Sequence, residues 1–270
     1  MKLCIVPARV GLRWVRDGLR VFARAPLAFT GLFFMVMAAA VVLANIPVVG
    51  SVLCLVLVPA ATVALMSASA QAEQGRFPMP KILFVAFQQS ASQTRAMLGL
   101  GAIYAVATVL IAVLSSALDD GQLNQLVLKY QGQLSPEMLA DPALQPAARA
   151  ALTRMLWVTL AYTPVSILLW HAPALVHWHH VPMVKSLFFS AVAVLRNTSA
   201  FLMYGLGWIG LGFVAWLSLM SVAGLFGNLA LAINGMLPMS LLMGAVFYAS
   251  LWFTFRDCFE EGEANSAPTL

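Results

Sequence analysis

Polar and apolar positions along the chain fall into helical periods. The arginines Arg9, Arg13, Arg16, Arg20 and Arg24 recur at spacings of 4, 3, 4 and 4. At about 100° per residue they share one narrow stripe. Val10, Leu12, Trp14, Val15, Leu19, Val21 and Phe22 fill the opposite side. Residues 1–26 therefore predict a basic amphipathic helix lying along a membrane surface, arginines toward lipid phosphates and Trp14 toward the acyl boundary. An apolar run at 27–46 follows, with Pro26 placed to end one helix or start the next. Asn45–Pro47 and Gly50 make a turn. Further runs long enough to cross a bilayer occupy 48–70, 96–118, 152–176 (with Pro164 inside it), 198–222 and 238–255. Amphipathic segments Lys81–Gln93 and Val181–Leu195 precede the third and fifth runs, and residues 223–237 read as a short re-entry loop. The pattern predicts an all-α fold. It is a polytopic membrane helix bundle of about six transmembrane helices with amphipathic interfacial connectors, forming one membrane domain over 27–258.

Two stretches break the pattern. Residues 119–149 form an extracytoplasmic loop in which Leu123, Leu126, Val127 and Tyr130 predict one short surface helix. Residues 259–270 form an acidic tail. The chain also echoes itself. Pro78-Met79-Pro80-Lys81-Ile82-Leu83-Phe84 matches Pro182-Met183-Val184-Lys185-Ser186-Leu187-Phe188 at an offset of 104 residues. Arg24-Ala25-Pro26-Leu27-Ala28-Phe29 is echoed by Arg196-Asn197-Thr198-Ser199-Ala200-Phe201. A connector plus two spans, used three times in parallel, is the repeat these matches imply.

Composition agrees with the pattern. With 61% hydrophobic and 9% charged residues and a mean hydropathy of +0.89, the chain has too few charges to cover a water-facing surface. The apolar run at 27–46 is longer than a signal-peptide core and follows about 26 residues, so a retained first span is expected. The formal net charge of +5 is distributed by topology. Lys2, the five arginines of 9–24, Arg76, Lys81, Arg95, Lys185, Arg196 and Arg256 fall on the side of the N-terminus. Only Lys129, Arg149 and Arg154 fall on the other. The positive-inside rule then places both termini in the cytoplasm, with the protein in the cell inner membrane. Bases that flank apolar runs suit anionic headgroups rather than nucleic acid, which is not an expected partner. Cys4, Cys54 and Cys258 have neither disulfide nor zinc spacing.

Candidate chemistry is sparse. His171, His177, His179 and His180 cluster with Trp170 and Trp178, and His177 and His180 lie one turn apart, close enough to share a metal. Pro173, Pro182 and the lack of a nearby carboxylate favour an interface-anchor role instead. The pairs Asp119/Asp120 and Glu137/Asp141 read as solvated loop carboxylates. Gly205-Leu206-Gly207-Trp208-Ile209-Gly210 spells a dinucleotide motif inside an apolar run, where helix packing is its use. Asn197-Thr198-Ser199 is a glycosylation sequon by letters only, at a cytoplasmic boundary. No Asp, Glu, Lys or Arg lies deep within a span, where ion-coupled transporters place them.

Gly11-Leu12-Arg13-Trp14, Arg24-Ala25-Pro26-Leu27-Ala28-Phe29, the Ile46-Pro47-Val48-Val49-Gly50 turn and Phe253-Thr254-Phe255-Arg256-Asp257-Cys258-Phe259 resemble a family of uncharacterised six-helix bacterial inner-membrane proteins. The likeness covers most of the chain. More distantly, the connector-plus-hairpin pattern is similar to the membrane-anchor region of glycerophosphodiester phosphodiesterase-type proteins, whose catalytic domain has no counterpart here. The resemblance implies the architecture and no activity. The expected function is a non-enzymatic membrane component without a cofactor, binding membrane lipids and a membrane-protein partner or second copy. A permease for an uncharged or amphiphilic solute is the alternative. Candidate residues are Arg9, Arg13, Arg16, Arg20 and Arg24 for headgroups, and His177 and His180 for a metal.

Overall fold

Each apolar run becomes a helix in the computed structural model, which describes residues 2–47, 49–117 and 145–260. Helix α1 (Arg9–Arg24) is followed after Ala25 by α2 (Pro26–Ala44), whose Pro26 sits where a missing N–H costs nothing. Helix α3 (Val49–Glu73) ends where the Arg76 N–H donates to Gln71 O at 2.9 Å and the Gly75 N–H to Ala72 O at 3.1 Å. Gly75 takes φ +75, the left-handed cap that this bonding pattern requires. A 3-10 connector (Pro80–Phe87) leads to α4 (Ala91–Ala117). Beyond residue 144 come α5 (Gln145–Leu169), α6 (Ala172–His179), α7 (Met183–Arg196), α8 (Thr198–Leu225) and α9 (Leu229–Cys258). A two-residue antiparallel ladder, β1 (Lys2–Leu3) with β2 (Phe259–Glu260), is the one departure from an all-α fold among the described residues. Among those residues, six helices are long and apolar enough to cross a membrane.

Two spans differ from the sequence reading. The sixth begins at Leu229 rather than Pro238, so Pro238 lies inside the helix. Asn228 Oδ1 accepts from the Ala230 N–H at 3.0 Å, a cap that opens α9, and Gly227 at φ +59 makes the turn out of α8. The fourth span, expected over 152–176, breaks at Trp170–His171, between α5 and α6, while Pro164 lies inside α5. The Ser190 hydroxyl of α7 repairs the break. It accepts from the His171 N–H and donates to Ile167 O, both at 2.9 Å. Freed backbone groups at membrane depth need such a partner.

The order of elements is connector, span, span, three times over. Each connector docks on the hairpin before it. The 3-10 connector lies on α3 and α2; α7 lies on α5 and α6; and α1, closing the ring, lies on α8 and α9. The largest core gathers Trp14, Phe29, Leu32, Tyr204 and Phe255 from α1, α2, α8 and α9, and a second joins Val63, Met97, Leu100 and Val176. Outside these, Val42, Leu110, Leu156 and Ile209 stand exposed along the spans. In water such a surface would associate; in a bilayer it is the lipid-facing girdle.

Candidate functional site at the terminal face

The β1–β2 ladder brings Lys2–Leu3 and Phe259–Glu260 together on one end of the bundle, the terminal face. The Cys4 N–H continues the pairing, donating to Cys258 O at 2.9 Å. Asn197, fully buried, clamps the same strand. Its Oδ1 accepts from the Val6 N–H at 2.8 Å, and its Nδ2 donates to Cys4 O at 3.1 Å and Ala193 O at 3.0 Å. The sequon asparagine is thus a structural clamp with its amide fully engaged. Cys54 and Cys258 are free thiols.

Helix α1 is a plate fixed to this face. Leu12 and Leu19 at the edges of its apolar side stay exposed, while the middle, Val10, Trp14, Val15 and Val21, is buried against protein, with Trp14 0% exposed. The ring packs on Phe201 and Tyr204, at centroid distances of 5.3 and 5.9 Å, and its indole N–H donates to Asp257 Oδ2 at 2.9 Å. Gly11 and Gly18, seven residues apart on the docked side, let the backbones approach. A Cβ at Gly11 would lie 2.0 Å from Ala200 O, and one at Gly18 would lie 2.4 Å from Ser250 Cβ. Gly207 of the would-be dinucleotide motif also receives α1, through Leu12 and Val15. Gly205 and Gly210 face open space. The Gly11/Gly18 pair is thus a packing feature of membrane helices, and of the would-be dinucleotide motif only Gly207 serves that use.

All five arginines project from the other side of α1 and are exposed. Asp17, the lone acid of the helix, lies 3.6 Å from Arg16 Nε and 3.7 Å from Arg20 Nη1. Arg13 Nη2 approaches Asp257 Oδ2 at 3.6 Å, and Arg24 Nη1 donates to Glu73 O at 3.1 Å. Such exposed pairs contribute little to stability and leave a surface in which five arginines outweigh one aspartate.

Beneath the plate lies a charge network that no local pattern announces. Arg256 pairs with Glu73 Oε1 and, at 2.8 Å, with Asp257 Oδ1. The Trp252 indole N–H donates to Glu73 Oε2 at 2.7 Å. The ends of α1, α3 and α9 are thereby tied together. Glu73 and Arg256 stand 183 residues apart in sequence, so spacing could not pair them.

The histidines are spread among different partners. His171 is fully buried among Phe201, Phe255 and Phe259. Gln89 Nε2 donates to His177 Nδ1 at 2.9 Å and to His177 O at 3.2 Å, while Gln93 Nε2 meets His180 Nδ1. An imidazole accepting at Nδ1 carries its proton on Nε2, so a metal would have to displace a glutamine or that proton at each ring. Among the described residues, no group of three or more His, Cys, Asp or Glu side chains could hold a metal ion. Asp119, Asp120, Glu137 and Asp141, the short helix expected at 123–130, and residues 261–270 of the expected tail lie outside the described residues.

Across its length, the chain is similar to a protein of Burkholderia thailandensis named a probable inner membrane protein. The two are 35% identical over 272 aligned residues, covering 100% of this chain and 98% of the relative. No family profile and no solved structure matches the chain.

Proposed function

The chain belongs to the same family as the probable inner membrane protein of Burkholderia thailandensis, and on that premise we propose that it is a lipid-binding component of the inner membrane. Its terminal face meets the cytoplasmic leaflet, and the arginine side of α1 gathers anionic lipid there. The carrying observation is the docked plate. Val10, Trp14, Val15 and Val21 are buried against α8 and α9, while Arg9, Arg13, Arg16, Arg20 and Arg24 stay exposed at the rim of a lipid-facing bundle. Each basic side chain near an anionic surface gains about 1 kcal/mol. Docking removes the ordering cost of a free amphipathic helix, so that gain goes into binding. The cytoplasmic side follows from the excess of lysine and arginine on the terminal face.

The test is thermal unfolding of the purified protein in neutral detergent, with added phosphatidylglycerol or phosphatidylcholine. A ligand that binds only the folded state raises the midpoint. Phosphatidylglycerol should raise it more, and about 0.5 M salt should abolish the difference by screening. Equal stabilisation by both lipids at low salt would refute the reading.

A further inference from the structure

Two adjoining cavities lie at the depth of the spans, and no Asp, Glu, Lys, Arg or His lines either of them. The larger, of about 450 Å³, runs between α2, α3 and the 3-10 connector, with Phe33, Met37, Leu65 and Phe84 in its wall. Apart from Tyr248 its one polar side chain is Cys54, whose thiol donates to Ala40 O at 3.3 Å. The smaller, of about 170 Å³, lies where α3, α4, the α5–α6 break and α9 meet. Val58 of α3 and Tyr248 of α9 line both, so the cavities flank one pair of side chains. Pro59, Tyr104 and Ser166 stand near the middle of their spans, which puts the smaller cavity well inside the bilayer.

Two hydroxyls of the smaller cavity are unused. Thr62 donates to Val58 O at 3.0 Å, as a helical threonine ordinarily does. Ser166 of α5 and Tyr248 of α9 hydrogen-bond to no described residue. At a wetted surface water would serve them, but at bilayer depth an unserved hydroxyl costs about 1–3 kcal/mol. The wall beside them is aromatic. Trp170 meets Phe247 edge to face at a centroid distance of 6.2 Å, and Phe247 meets Tyr248 at 5.9 Å. The Trp170 indole N–H is engaged by Thr254 Oγ1 at 3.2 Å, so Trp170 offers the cavity its ring alone. A charged head would be stranded here without a counter-ion, and a diacyl lipid would leave one chain outside the single apolar slot. A flat ring with two acceptor oxygens and one apolar tail matches two free donors, an aromatic wall and that slot. An isoprenoid quinone is the membrane lipid with this chemistry.

We infer that the paired cavities bind one isoprenoid quinone, its carbonyl oxygens accepting from Ser166 and Tyr248 and its tail lying in the apolar slot. The site is independent of the arginine surface of α1, and failure of either leaves the other standing. Native mass spectrometry of the full chain in mild detergent, titrated with decylubiquinone, tests it. One decylubiquinone should be retained per chain. Its affinity should fall about fivefold, the weight of one neutral hydrogen bond, in Tyr248→Phe and again in Ser166→Ala. Ser166 is exposed, so the second variant keeps its fold whatever becomes of the first. Ala61→Phe, which narrows the slot, should weaken binding as well. The variant with the five α1 arginines changed to glutamine should bind as wild type does. No adduct, or an affinity unchanged in both Tyr248→Phe and Ser166→Ala, would overturn the site. Displacement by an equal concentration of dioctanoylglycerol would overturn the quinone as its occupant, and loss of the adduct in the arginine variant would move the binding to the surface of α1.

Discussion

Replacing Gly11 with leucine is expected to detach α1 and lower the thermal midpoint by on the order of 5–10 °C. A Cβ there would sit 2.0 Å from Ala200 O and 2.7 Å from Tyr204 N, and both are backbone atoms of α8 that cannot swing aside. Overpacking of this kind costs about 1–3 kcal/mol when the structure yields locally. If α1 lifts instead, Trp14 loses its burial and its bond to Asp257, a loss of about 3 kcal/mol or more. For a chain of this size each kcal/mol moves the midpoint by about 2–4 °C. A lifted α1 also exposes its backbone, so limited trypsin digestion should cut within residues 9–24 of the variant and spare wild type. Gly205→Leu on the same face-to-face helix pair is the control, since nothing lies within 4 Å of its Cβ, and it should change neither readout. An unchanged midpoint and digestion pattern in Gly11→Leu would remove the docked plate from the account.

Glu73→Ala should be the next most damaging change. The carboxylate receives the Arg256 guanidinium on one oxygen and the Trp252 indole N–H on the other. Its loss strands a half-buried cation and a part-buried donor. Removing one partner of a fully buried pair costs about 3–5 kcal/mol and of an exposed pair about 0–1 kcal/mol. The side chains here are about one-third exposed, 34% for Arg256 and 33% for Glu73, which places the expected loss at about 2 kcal/mol. Glu73→Gln keeps an acceptor for Trp252 and should lose about half as much. Denaturant unfolding of Glu73→Ala, Arg256→Ala and Arg256→Ala/Glu73→Ala completes a double-mutant cycle. Independent, additive losses would mean that the network does not tie α3 to α9.

The spans were legible because about 20 consecutive apolar residues have no stable place except lipid. The connectors were legible because Arg9 to Arg24 and Met183 to Arg196 keep a helical period. The partner of that period was not. An amphipathic stripe has the same sequence whether its apolar side meets acyl chains or another helix, which is why Trp14 read as an interface residue and proved to be core. Gly11 and Gly18 carried the missing signal, small residues seven apart on the apolar side of α1. The start of α9 could have been found at Asn228, a capping residue, had Pro238 not drawn attention to itself. The break at Trp170–His171 depends on Ser190 of a later helix, and the Glu73–Arg256–Asp257 network joins distant segments. Neither has a local pattern to read.

The arginine side of α1 is proposed to select anionic lipid, and the lipid composition around the protein reports that selection. Wild type and the variant with Arg9, Arg13, Arg16, Arg20 and Arg24 changed to glutamine would be captured in nanodiscs from one equimolar mixture of phosphatidylglycerol and phosphatidylcholine. Lipid analysis of the discs should find phosphatidylglycerol enriched around wild type and the enrichment largely lost in the variant, with equal folding of both. Discs of the bulk composition around wild type, or the same enrichment around both proteins, would contradict the account.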